Sequence, residues 1–66
     1  MNFKSDNTIY WCILEHIGTG IRYYSLPYDD INKYTPGNIV CDENSREYLI
    51  IGLTTVEPLS TLVNIM

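Results

Sequence analysis

Residues 8–17, TIYWCILEHI, restrict the fold more than any other stretch of the chain. Read with a period of two, Ile9, Trp11, Ile13 and Ile17 fall on one side, and Tyr10, Cys12, Leu14 and His16 on the other. Both sides are largely apolar, which is the pattern of a strand covered on both faces. The chain has 66 residues and reads as a single domain, 1–66, of a size that hides only about 60% of its unfolded surface on folding. So short a chain has little material for a layer on each side of one strand. The second cover is therefore expected from another copy, a homo-oligomer with Tyr10, Leu14 and His16 at the interface.

The rest of the sequence argues for strands. Ile, Val and Thr together make up 18 residues, and 8 more are aromatic, so β-propensity dominates. Gly18-Thr19-Gly20, Pro27, Pro36-Gly37-Asn38, residues 42–45 and Pro58 punctuate the chain into five short runs, the spacing of a small barrel. Gly18-Thr19-Gly20 closes a hairpin between residues 8–17 and 21–26, and Pro27 ends the second strand. Asp29 is a candidate N-cap for one helical turn over residues 29–34. Pro36-Gly37 fits positions i+1 and i+2 of a type II turn. The third strand is expected over residues 38–42 and the fourth over 46–57, with Gly52 marking a bulge or bend. Residues 60–65 form the fifth strand, or a short helix. The expected fold is all-β, a five-stranded SH3-like or OB-like barrel.

Composition narrows the function classes. Four Lys and Arg stand against 8 Asp and Glu, a net charge of -4, which opposes general binding to a polyanion. Cys12 and Cys41 are too few for a disulfide scaffold, and each sits in an apolar run, so both read as free buried thiols. One histidine, His16, supports no known metal-ligand spacing, and neither a metal nor a cofactor is expected. No apolar run reaches membrane-spanning length, and no signal-peptide pattern is present; the expected location is the cytoplasm. The chain lacks Ala and Gln and is rich in Ile, Asn and Tyr. Such usage fits an AT-rich genome, as in many phages and Firmicutes. Opening at Met1, the chain reads as a small phage-type accessory protein.

Residues 22–27 (RYYSLP), Ile31, residues 36–40 (PGNIV) and residues 50–56 (IIGLTTV) resemble the N-terminal 3′-end-binding domain of the primosomal helicase PriA over about residues 22–56. The resemblance implies a small β-barrel and nucleic-acid 3′-end binding. That family places a basic loop after the Pro-Gly strand, where this chain carries Asp42-Glu43-Asn44-Ser45.

No catalytic set survives simple geometry. Glu15 and His16 face opposite sides of a strand, and Cys12 and His16 lie about 13 Å apart along one. Asp29-Asp30 read as a solvated turn, and the chain reads as a non-enzyme. The tyrosines stand out: six, with Trp11, in so short a chain. They suit a barrel core and a subunit interface, or a pocket that stacks rings. With Arg22 and Arg46 to meet phosphate, Tyr24, Tyr28 and Tyr34 form the candidate ligand or partner site. The leading expectation is a counter-defence protein of host cytoplasm that sequesters a small nucleotide-derived signal. The alternatives are an inhibitor capping a host defence protein through an acidic, Tyr-rich surface, and nucleic-acid 3′-end binding.

Overall fold

The computed structural model describes residues 8–59 and 62–66. Five strands form one sheet: β1 (Trp11–His16), β2 (Arg22–Ser25), β3 (Ile39–Cys41), β4 (Glu47–Thr54) and β5 (Leu62–Val63). Their order is β3-β4-β1-β2-β5. All pairings are antiparallel except β2 with β5. The sheet curls into a half-barrel, and its two edges touch at one end. There Asp42 bridges to Ile65, and the Met66 N–H donates to the Cys41 carbonyl at 2.9 Å. Among the described residues no helix is long and apolar enough to cross a membrane.

Local chemistry explains the elements. The β1–β2 hairpin closes with the Gly20 N–H on the His16 carbonyl at 2.7 Å, and Gly20 takes φ +74°, a conformation natural to glycine. The Pro36-Gly37 turn is type II: Gly37 has φ +94°, and the Asn38 N–H reaches the Thr35 carbonyl at 3.1 Å, as that turn requires. Beside Gly52 the β1–β4 register slips, pairing Ile13 with Gly52 but Leu14 with Ile50. Ile51 is the extra residue of a bulge, and bulges sharpen the bend that curls a sheet.

The concave side holds the core. Cys12, Leu14, Tyr28, Tyr48 and Ile50 are buried, and Tyr10, Tyr23, Tyr34, Val40, Leu53, Val63 and Ile65 pack on them. Ser25 closes a gap in the ladder. Its buried hydroxyl accepts the Cys12 N–H at 2.8 Å and donates to the Leu26 carbonyl at 2.9 Å. Beyond that gap, Tyr10 and Tyr28 exchange two backbone hydrogen bonds, of 2.8 and 3.0 Å.

Several expectations need adjustment. The turn after β2 starts at Asp30, not Asp29: the Asp30 carboxylate takes the Asn32 N–H at 2.9 Å and its carbonyl the Lys33 N–H at 2.9 Å. This is a side-chain-closed turn without a helix. Strand β4 ends at Thr54. Strand β5 covers Leu62–Val63, while positions 60 and 61 of the expected strand lie outside the described residues. Both cysteines are free, but only Cys12 is buried; Cys41 is half-buried. Cys41 pairs with Glu47 on the convex side and Cys12 points into the core, so the two thiols lie on opposite faces of the sheet.

Candidate functional site

The β3–β4 turn builds the most elaborate polar site. Asp42 is buried, and its Oδ1 accepts the N–H groups of Asn44 (2.8 Å) and Arg46 (3.0 Å). Its Oδ2 accepts the Tyr48 hydroxyl at 2.8 Å. The turn closes through the Ser45 N–H on the Asp42 carbonyl at 3.0 Å, with Ser45 at φ +65°. Burial alone would raise the Asp42 carboxyl. The hydrogen bonds from Tyr48, Arg46 and Asn44, with the Arg46 charge, outweigh it and hold the group below its ordinary value. The Tyr48 phenol is pushed up, by burial first and then by the Asp42 carboxylate.

Beside this network, where the sheet edges meet, lies an open cleft of about 360 Å³. Tyr23, Glu43, Asn44, Arg46 and Asn64 give it aromatic, charged and amide groups, and β5 gives it an apolar wall. The Tyr23 ring is held edge-on to Tyr48 at 5.5 Å, and Tyr48 edge-on to His16 at 5.4 Å. His16 is fixed in turn, because its Nδ1 accepts the Thr19 N–H at 3.1 Å.

The opposite end of the half-barrel carries a second ring cluster. Tyr28 and Tyr34 meet edge-on at 4.9 Å, and Tyr10 lies 6.0 Å from Tyr28. The Lys33 ammonium sits 5.5 Å from the Tyr34 ring centre. The Tyr28 hydroxyl is buried with no hydrogen-bond partner among the described residues. Burial, with Cys12, Tyr34 and Tyr10 nearby, pushes its phenol up to about 12.

The five residues expected to hold a ligand do not converge. Arg46 lines the seam cleft. Arg22 and Tyr24 lie on the convex face, opposite Glu15 and Ile13, where Tyr24 shares a cleft of about 380 Å³ with Val56, Pro58 and Leu59. Tyr28 is in the core, and Tyr34 packs on it. The expected interface residues all turn inward. Leu14 is wholly buried and has no surface left for a second copy, Tyr10 packs on the core, and His16 backs Tyr48. On β1's other side, Ile9 and Ile17 are 40% and 50% exposed.

Sequence reasoning missed Asp42, Tyr48 and Tyr23. An Asp opening a short polar turn, followed by a Tyr in the returning strand, was the available signal for the first two. Burial raises the Cys12 thiol to about 11, so it stays protonated near neutral pH and is a poor nucleophile. Among the described residues no group of three His, Cys, Asp or Glu side chains could hold a metal ion. Compared with known proteins, the chain matches no family model, no curated protein and no solved structure.

Proposed function

We propose that the protein acts by stoichiometric binding, and that the seam cleft takes a small nucleotide-like ligand with a single phosphate. One observation carries this reading: an aromatic ring, a guanidinium and two side-chain amides line one cleft with an apolar wall. Tyr23 offers a face for a base, Arg46 a fork for phosphate, and Asn44 and Asn64 groups that read polar edges. The Asp42 charge beside them is already engaged by three donors. Among the described residues Arg46 is the cleft's one cation, against the carboxylate of Glu43, which favours one phosphate over several. The reading belongs to a self-associating SH3-like or OB-like barrel of a phage-type accessory protein, sequestering a host signal in the host cytoplasm.

Isothermal calorimetry against nucleoside monophosphates and cyclic mono- and dinucleotides tests it. Saturable heat with one member is expected, weakened at least tenfold by Arg46→Ala, about 1.4 kcal/mol. Absence of heat across the panel removes the reading.

A protein partner is the second reading, favoured by the segment joining β4 to β5. Val56 and Leu59 there are 73% and 103% exposed, more than a solvated connection needs. Nucleic-acid 3′-end binding has the least support, because the turn that the PriA-like domain makes basic holds Asp42 and Glu43 here.

A further inference from the structure

We infer that the base held in the seam cleft is guanine, selected by the Glu43 carboxylate. The inference rests on the nucleotide reading above and names the ligand's base. The β3–β4 turn supplies the two charged groups of the site. Asp42 spends its carboxylate inside the turn, on the Asn44 and Arg46 N–H groups and the Tyr48 hydroxyl. Those bonds fix the backbone from which Glu43 and Arg46 reach the cleft. The Arg46 charge acts on both Asp42 and Tyr48, so its guanidinium lies beside that pair. Glu43 is exposed on the same cleft. Among the described residues its carboxylate takes part in none of the turn's side-chain hydrogen bonds, and both its oxygens are free to accept.

Asn44 and Asn64 both donate and accept, so they suit any base, whereas an ionised carboxylate only accepts. Glu43 therefore sorts bases by where their donors lie. Guanine presents N1–H and its N2 amino group side by side, two donors for two oxygens. Adenine and cytosine present one amino group next to a ring nitrogen that accepts, which sets a lone pair against the second oxygen. Uracil presents a single N–H between two carbonyls, with the same conflict. A site whose polar group is left unpaired by a near-isostere rejects it strongly. Size fits one nucleotide. The cleft's 360 Å³ lies at the low end of the ~300–1,000 Å³ of small-molecule sites. The Tyr23 ring stacks on the base and Arg46 takes the phosphate.

Isothermal calorimetry tests this with guanosine and adenosine monophosphates, each in its linear and its cyclic form, on the native chain and on Glu43→Gln. In the native chain a guanine nucleotide is expected to bind at least tenfold more tightly than its adenine counterpart, about 1.4 kcal/mol. The linear and cyclic arms show which form of the phosphate the site takes. Glu43 is exposed, so the substitution spares the core. The charge it removes shifts guanine and adenine nucleotides alike, and their affinity ratio is the readout. A glutamine amide donates as well as accepts and matches adenine, so the ratio should fall at least tenfold. Equal affinities for the two bases in the native chain overturn the guanine assignment and leave the cleft reading standing. A guanine preference that survives Glu43→Gln overturns the role of Glu43. Heat only with pyrimidine or dinucleotide ligands overturns guanine alone, and silence with every nucleotide removes the cleft reading with it.

Discussion

Two tyrosines are buried at opposite ends of the same half-barrel, and they are treated differently. Tyr48 delivers its hydroxyl to a carboxylate that also gathers two backbone amides. Tyr28 buries its hydroxyl among other rings, with no partner among the described residues. The first hydroxyl ties a turn to the sheet. The second is there because the ring fills space, and its polar atom is a net cost. The phenol at the seam end is thus held by a directional side-chain bond, and the one at the far end by packing alone among the described residues.

The sharpest way to break this contrast is Asp42→Ala. It removes the acceptor of three hydrogen bonds and strands the buried Tyr48 hydroxyl. We expect a larger fall in the urea denaturation midpoint than from any substitution of Tyr48 or Tyr28 that keeps the ring. Tyr48→Phe comes next, with a loss of about 1–2 kcal/mol. A loss from Tyr28→Phe as large as that from Tyr48→Phe would erase the distinction between the ends.

Acid sharpens the same comparison. Because the native Asp42 carboxyl lies below its ordinary value of 3.8, its contribution is fully present above that value. It is lost as pH falls through the lower native value. Asp42→Asn should flatten this part of the stability–pH curve, as read by midpoints from pH 7 downward. The smallest effect belongs to Tyr28→Phe, expected to be neutral or stabilising by up to about 1 kcal/mol. It should also remove a phenol that ionises near pH 12 from an ultraviolet titration. The thiols give a check on the packed interior. A thiol reagent should modify half-buried Cys41 in the native protein and reach Cys12 only on unfolding.

Much of the architecture was legible because local rules dominate it. Pro36-Gly37 demanded a type II turn, Gly52 signalled the bulge or bend, and an apolar, β-branched run ended by Gly18 placed β1, all through short-range chemistry. What the sequence hid depends on distant pairing. Apolar residues on both sides of β1 do not reveal which side faces the core, so nothing local opposed an outward placement of Tyr10, Leu14 and His16. Curling in the other sense would have reversed that choice. Arg22, Tyr24, Tyr28, Tyr34 and Arg46 share chemistry but not location, and only the sheet order separates them. Tyr23 enters the site because β5 returns in parallel beside β2 and leaves the seam next to it, a pairing with no local signature.

That return also governs the birth of the molecule. The edges are joined through Asp42 and Ile65, and through Cys41 and Met66, so a ribosome delivers one side of the join 23 to 25 residues before the other. Until then the nascent sheet has an unzipped border and an uncovered hollow, and this non-local closure is the slow, aggregation-exposed stage of its maturation.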